Sequence, residues 1–257
     1  MNSGDIEYLA SIDEIVSGGS KRVEYLALPG HLEARLDDLD GRTPLKRVFV
    51  MGCGRSGTWL LLSLMFTFED TAVLPREVPV QTFGLVSTSA ANLVLKREWK
   101  SYYSADSISE NIWLLYIVRH PYDVLTSFNP VTGLRFHISP ARWLVEMSAL
   151  RALLERRRKS LIVVRYEDLV SDPKKMQDYL ASALGMTIKT DPENVISNCD
   201  LPQEAVDAMH GLRKIDNRAV GRYRNNEEHV RYLKSIQPRI SEALDWTSEN
   251  FRYDLDL

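Results

Sequence analysis

The stretch from Arg47 to Thr58, Arg-Val-Phe-Val-Met-Gly-Cys-Gly-Arg-Ser-Gly-Thr, constrains the fold of this chain more than any other. Val48, Phe49, Val50 and Met51 form a short apolar run suited to a parallel strand buried on both faces, and Gly52 ends it in a turn. Trp59, Leu60, Leu61, Leu62, Leu64, Met65 and Phe66 follow as a segment apolar enough for a buried helix. A strand, a glycine-rich loop and a helix in that order aim backbone N–H groups and a helix N-terminus at one point, which makes an anion site. The spacing Gly52-x-x-x-x-Gly57 is near that of the nucleoside triphosphate loop, but that loop needs a Lys between its second Gly and the Ser/Thr. Here Thr58 follows Gly57 directly, and the cation is Arg55. A planar guanidinium grips a phosphate or sulfate with paired hydrogen bonds, whereas Lys more often serves the triphosphate. The pattern points to an anionic nucleotide and away from ordinary ATP hydrolysis. The competing reading is a plain glycine turn, and Arg, Ser, Gly and Thr together after a strand weigh against it.

The rest of the chain alternates strands and helices. Ile6, Leu9, Ile12, Ile15 and Val16 predict a short amphipathic helix over residues 5–16. A Ser-Gly-Gly-Ser break and a mixed segment to Pro44 follow, read as a surface layer or a flap over the core. Thr71 to Pro75 predicts a second strand, with Pro75 to Pro79 a rigid turn around Glu77. Asn92 to Lys96 predicts a third, followed by Arg97, Glu98 and an aromatic loop with Trp99, Tyr102, Tyr103 and Asp106. Ile112 to Val118 is a buried strand ending in Arg119-His120-Pro121, where Pro121 suits the first turn of a helix. Ala141 to Arg157 is an amphipathic helix whose basic end, Arg156 to Lys159, complements the helix dipole. Leu161 to Val164 is the fifth strand. Pro173 to Leu184 is a helix with Gly185 at its C-terminal cap, and residues 200–210 and 227–245 have helical spacing. The expected fold is a single α/β domain over 1–257, a parallel sheet flanked by helices, with an N-terminal helix and surface segment over 1–45 and a nucleotide-binding core with acceptor loops over 46–257. Its ligand belongs at the C-terminal ends of the strands.

Composition narrows the partners. A chain of 257 residues with net charge −3 gives no reason to expect nucleic acid or an acidic membrane. Cys53 and Cys199 are too few for a disulfide framework or a cysteine zinc site, and the five histidines show no metal spacing, so no metal is expected. The first twenty residues lack a basic start and apolar core, and the apolar run from Trp59 to Phe68 is far short of the ~20 residues a membrane span needs. The expectation is a cytoplasmic protein without a membrane span. Cys53 reads as a packing residue, and the aromatic loop as core material or an acceptor platform.

Arg55, Lys96 and Arg119 stand at three strand ends and would converge on one crevice, so the ligand should carry charge in more than one place. Ser127 lies eight residues after Arg119, about two turns beyond Pro121, so a helix starting there returns its hydroxyl toward the same anion.

These residues resemble the motifs of sulfotransferases that use 3′-phosphoadenylyl sulfate (PAPS). Gly54-Arg55-Ser56-Gly57-Thr58 is similar to their 5′-phosphosulfate loop, and Arg119-His120-Pro121-Tyr122-Asp123 with Ser127 to their 3′-phosphate motif. Val164-Arg165-Tyr166-Glu167-Asp168-Leu169 resembles their Tyr-Glu-Asp-Leu segment, whose Tyr contacts the nucleotide. Gly221-Arg222-Tyr223-Arg224 resembles their late Gly-x-aromatic-basic motif. The match runs from about Val48 to Arg224, in order. It departs in two places: the late loop lacks an Arg-Lys-Gly triplet, and Lys96-Arg97-Glu98 replaces Lys-Thr-His, which removes the catalytic His of the small-molecule enzymes.

The resemblance implies a P-loop NTPase-like sulfotransferase fold and transfer of a sulfuryl group from PAPS to an acceptor hydroxyl, with adenosine 3′,5′-bisphosphate (PAP) as product and no metal required. The acceptor class it suggests is a carbohydrate, with a lipid, a peptide tyrosine or a small natural product behind it. Arg55 would serve the bridging and 5′-phosphate oxygens, the N–H groups of Ser56, Gly57 and Thr58 the 5′-phosphate, and Lys96 the sulfuryl group. Arg119 and Ser127 would hold the 3′-phosphate, with Tyr166, Arg218 and Arg222 nearby; Trp59 either stacks on adenine or buries itself. Glu77 is the expected base, because carbohydrate and tyrosyl sulfotransferases carry a Glu at a similar distance after the loop, and Glu98 is the second candidate. A nucleotide-binding module without catalysis and a nucleotide kinase are the rival readings.

Overall fold

Why the sheet forms is plain from its central strand. In a computed structural model of the protein, β1 (Lys46–Gly52) has Val48, Phe49, Val50 and Met51 wholly buried, which requires cover on both faces. Val48 and Val50 point to one face and Phe49 and Met51 to the other, the two-residue period of a strand. The structure describes residues 46–257 except 87, 99–107, 129–132, 134, 157–158, 195–198, 200, 210 and 212–213. The expected helix over 5–16, the segment to Pro44 and the aromatic loop with Trp99, Tyr102, Tyr103 and Asp106 lie outside the described residues.

Five parallel strands run in the order β2-β3-β1-β4-β5, with β2 Thr71–Val78, β3 Asn92–Arg97, β4 Ile112–Val118 and β5 Leu161–Arg165. The first of the described strands is therefore the middle one; from it the chain crosses to the edge strand β2, returns inward to β3, and then passes to β4 and β5 on the other side. The crevice beyond the C-terminal end of β1, between β3 and β4, is the switch point where open α/β sheets bind ligands.

One face is covered by α1 (Thr58–Met65), α4 (Tyr166–Ser171) and α5 (Pro173–Leu184). All seven residues of α1 after Thr58 are buried, as a helix apolar around its whole circumference demands. Buried Ser63 returns its hydroxyl to the Trp59 carbonyl at 2.8 Å. The other face is covered by α3 (Pro140–Arg156) and the end of α7 (Glu227–Phe251). Two short helices, α2 (Pro121–Leu125) and α6 (Gln203–Ala208), complete the described elements used below.

Two of the expected element bounds change. β2 continues through Glu77 to Val78 instead of turning at Pro75. A proline is tolerated there because β2 is an edge strand, and the pairing shifts register between Val73 and Glu77. The last helix runs to Phe251, not 245, because Thr247 and Phe251 extend its buried face. Tyr166 opens α4 directly after β5. Gly185 caps α5 in the left-handed conformation (φ 60°), as expected.

Candidate functional site

Backbone geometry creates the loop between β1 and α1. Gly57 sits at φ 96°, and a Cβ there would lie 2.6 Å from Cδ2 of Tyr166, so only glycine admits both the turn and the ring packed on it. Arg55 also adopts a left-handed conformation (φ 68°), which is uncommon for a side-chain-bearing residue. Two contacts hold it there. Arg119 Nη1 donates to the Arg55 carbonyl at 3.0 Å, and Arg55 Nη1 donates to the Ala208 carbonyl at 3.0 Å. The Ser56 N–H turns inward to the Cys53 carbonyl at 3.1 Å, so it is not presented to an anion as the sequence suggested. The N–H groups of Gly57 and Thr58 stand at the start of α1.

A cavity of about 810 Å³ opens above this loop. Arg55, Gly57, Thr58, Trp59, Arg119, Ser127, Tyr166, Arg218 and Arg222 all line it, so residues from four separate sequence motifs share one space. The volume is that of a ligand site. Ser127 Oγ accepts from Arg55 Nε at 2.9 Å and keeps its own hydroxyl proton to donate. Arg119 lies over the Tyr166 ring at 4.5 Å and 3.9 Å from Asp123, and its Nη2 donates to the Ala219 carbonyl. Arg218 pairs with Asp216 on the rim. Lys214 and Arg135 add cations that motif reading missed, since neither belongs to a motif. In all, six cations and two carboxylates line the cavity. Burial and the neighbouring Arg119 charge lower the Arg55 guanidinium from its usual range to about 10. It stays cationic at neutral pH, and a bound anion would offset both effects.

Asp123 was legible only as a motif member. Its carboxylate is buried and accepts from the Gly221 N–H at 2.7 Å, fixing the left-handed turn that carries Arg222 into the cavity wall. The late loop is thereby tied to the helix after β4.

Glu77 and Lys96 occupy a second, small cleft of about 30 Å³ with Gly54, Thr58, Arg97 and Arg142. Thr58 lines both spaces. Glu77 and Lys96 are register partners on β2 and β3, so their side chains leave the same face and meet as an ion pair. Lys96 is buried, with its ammonium 4.4 Å from the Trp59 ring centroid. Trp59 is itself nearly buried and packs into the core beneath the cavity, with one ring face opposite Lys96. Glu98 lines neither space and anchors its N–H to the Val78 carbonyl at 3.1 Å. Cys53 is buried, and burial pushes its thiol well above the usual range, which suits packing rather than nucleophilic use.

His120, between Arg119 and Pro121, ties the site to the C-terminus. Its Nδ1 accepts from the Tyr122 N–H at 3.3 Å, which leaves Nε2–H to donate to the Asp254 carbonyl at 2.7 Å. The ring stacks on Tyr223 at 5.1 Å and 23°. Burial draws His120 below the usual imidazole range, outweighing the Asp254 carbonyl and the nearby acids. The unfolded chain therefore takes up this proton at higher pH than the folded one. Stability should be full above about pH 6.5 and decline as pH falls below it, by up to ~1.4 kcal/mol per unit. Thermal unfolding from pH 7.5 to 5 is expected to show this slope, with a shallower one in His120→Gln. His137 and His229 are shifted the same way by burial and supply the remainder.

The class of this fold follows from the sheet order and the loop: a parallel α/β sheet with a glycine-bearing loop at its switch point. No family model matches the sequence, and no curated protein matches it. Among solved structures, the sulfotransferase domain from the Synechococcus PCC 7002 olefin synthase is similar at TM-score 0.56 and 19% identity, covering 84% of this chain and 98% of that one. The sulfotransferase domain from the curacin biosynthetic pathway is similar at TM-score 0.52 and 16% identity, covering 75% and 98%. The chain has the fold of these sulfotransferase domains. Among the described residues no helix is long and apolar enough to cross a membrane.

Proposed function

We propose that the protein transfers a sulfuryl group from PAPS to an acceptor hydroxyl, with carbohydrate hydroxyls the first class to test. The observation that carries this reading is the single cavity shared by Arg55, Arg119, Ser127 and Tyr166. Arg55 and Arg119 line one space of about 810 Å³, the volume of a ligand site. Six lining cations against two carboxylates suit an anion of high charge.

In the proposed reaction the acceptor oxygen forms a bond to sulfur while the S–O bond to the 5′-phosphate breaks. That electron pair passes to the phosphate oxygen, beside Arg55 and the start of α1, where preorganised donors act most strongly. The acceptor proton goes to Glu77, whose partial exposure leaves a way in for substrate. Lys96 neutralises the sulfuryl oxygens and positions Glu77. A kinase reading is less favoured: the triphosphate Lys is absent after Gly57, and Asp123, the first acid after β4 in sequence, is engaged by Gly221 and Arg119.

Isothermal titration with PAP and with adenosine 5′-phosphate tests the nucleotide. Ser127→Ala is expected to weaken PAP about tenfold, the worth of one hydrogen bond to a charged group, and adenosine 5′-phosphate much less. Arg119→Ala should do the same more strongly, with some loss for both ligands because it also holds the Arg55 carbonyl. Equal losses for the two nucleotides in Ser127→Ala would remove it from a 3′-phosphate site.

A further inference from the structure

The residue next to Lys96 carries a donor that the fold leaves over. Arg97 ends β3, is 5% exposed, and lines the small cleft together with Lys96, Glu77, Thr58, Gly54 and Arg142. Its Nη2 is fully committed: it donates to the Gly52 carbonyl at 2.7 Å and to both carboxylate oxygens of Glu146, at 2.7 and 2.9 Å. Glu146 is wholly buried and also accepts from the Tyr116 hydroxyl at 3.3 Å. This cluster braces the root of the anion loop against α3. It accounts for Nη2 and not for Nη1, which is buried and has no hydrogen-bond partner among the described residues.

A buried charged donor without a partner costs more than the ~1–3 kcal/mol of a neutral one. A brace alone does not call for it, because a buried Arg–Glu pair is often replaced by apolar groups at no loss of stability. The cleft that Arg97 lines, about 30 Å³, is large enough for one oxygen atom of a ligand. Lys96 already brings positive charge to the same space.

We propose that Arg97 is a further catalytic residue, donating Nη1–H to one oxygen of the transferring sulfuryl group beside Lys96. This rests on the sulfuryl-transfer reading above. Arg97 makes and breaks no covalent bond; it holds negative charge on the sulfuryl oxygen while sulfur passes from the phosphate oxygen to the acceptor oxygen.

PAPS and PAP differ at this place, since only PAPS carries the sulfuryl group, so their affinity ratio isolates the contact from the nucleotide site. Arg97→Lys keeps a cation for Glu146 but lacks the second amino group. The pair Arg97→Met with Glu146→Leu removes the ion pair without stranding a charge, and serves if the lysine variant fails to fold. In either variant PAP should bind within about threefold of the unaltered protein, while the preference for PAPS over PAP falls ten- to hundredfold and turnover falls with it. An unchanged PAPS-to-PAP ratio, or an equal loss of both ligands, overturns the assignment and leaves Arg97 as a brace. If the unaltered protein binds neither nucleotide, the sulfuryl-transfer reading fails first, and this inference with it.

Discussion

Glu77→Gln is expected to lower turnover by about 10²-fold, the usual effect of removing a general base, while PAP binding stays near that of the unaltered protein. The two observables separate because Glu77 lies in the small cleft and not in the nucleotide cavity. Glutamine keeps the shape and can still accept from Lys96, but it cannot take a proton from an acceptor hydroxyl. Near-normal turnover would move the role to Glu98, though the structure gives that residue a poorer position. Glu98 lies one residue past β3 and lines neither space. Steady-state rates with a labelled sulfuryl donor and a panel of hydroxyl acceptors provide the measurement.

Arg55→Met should reduce turnover by about 10²- to 10³-fold, the loss seen when one preorganised transition-state donor is removed. Charge grows on the leaving phosphate as the S–O bond breaks, so the effect belongs mainly to the rate. Ground-state nucleotide binding should weaken less. The geometry gives this residue no substitute: its left-handed backbone and its contacts to Ser127 and Ala208 hold the guanidinium against the cavity wall. Arg55→Lys is expected to recover only part of the loss, because an ammonium cannot make paired hydrogen bonds in the same plane. A rate drop no larger than the drop in nucleotide affinity would show that Arg55 only binds. Since burial and Arg119 bring Arg55 to about 10, nucleotide affinity should also fall in its own right above that pH, where Arg55 of the free site gives up its charge.

Much of this site was readable from the residues because strand ends in a parallel sheet share one edge. Once β1, β3 and β4 are recognised by their apolar runs, Arg55, Lys96 and Arg119 fall at one edge of the sheet, but the single crevice expected for all three is not found: Arg55 and Arg119 line the large cavity and Lys96 the small cleft. The turn between β1 and α1 was readable because Gly52 and Gly57 carry their own backbone requirement. The extent of β2 was not, because a proline stops most strands and only an edge position forgives it. Nor could Lys214 or Arg135 be singled out, since a cation outside a motif looks like any solvated surface charge until the chain is folded.

Local order along the chain therefore sets the parallel α/β architecture, the loop and the identity of most charged residues around it, because periodicity and turn chemistry act between near neighbours. Folding in three dimensions divides those residues between two spaces. Arg55, Arg119, Ser127 and Tyr166 face the large cavity, and Lys96, Glu77 and Arg97 face the small cleft on the other side of Thr58. That division depends on register between β2 and β3 and on the bonds of Arg97 and Asp123 to distant backbone. Such contacts span long stretches of sequence, and no local pattern records them.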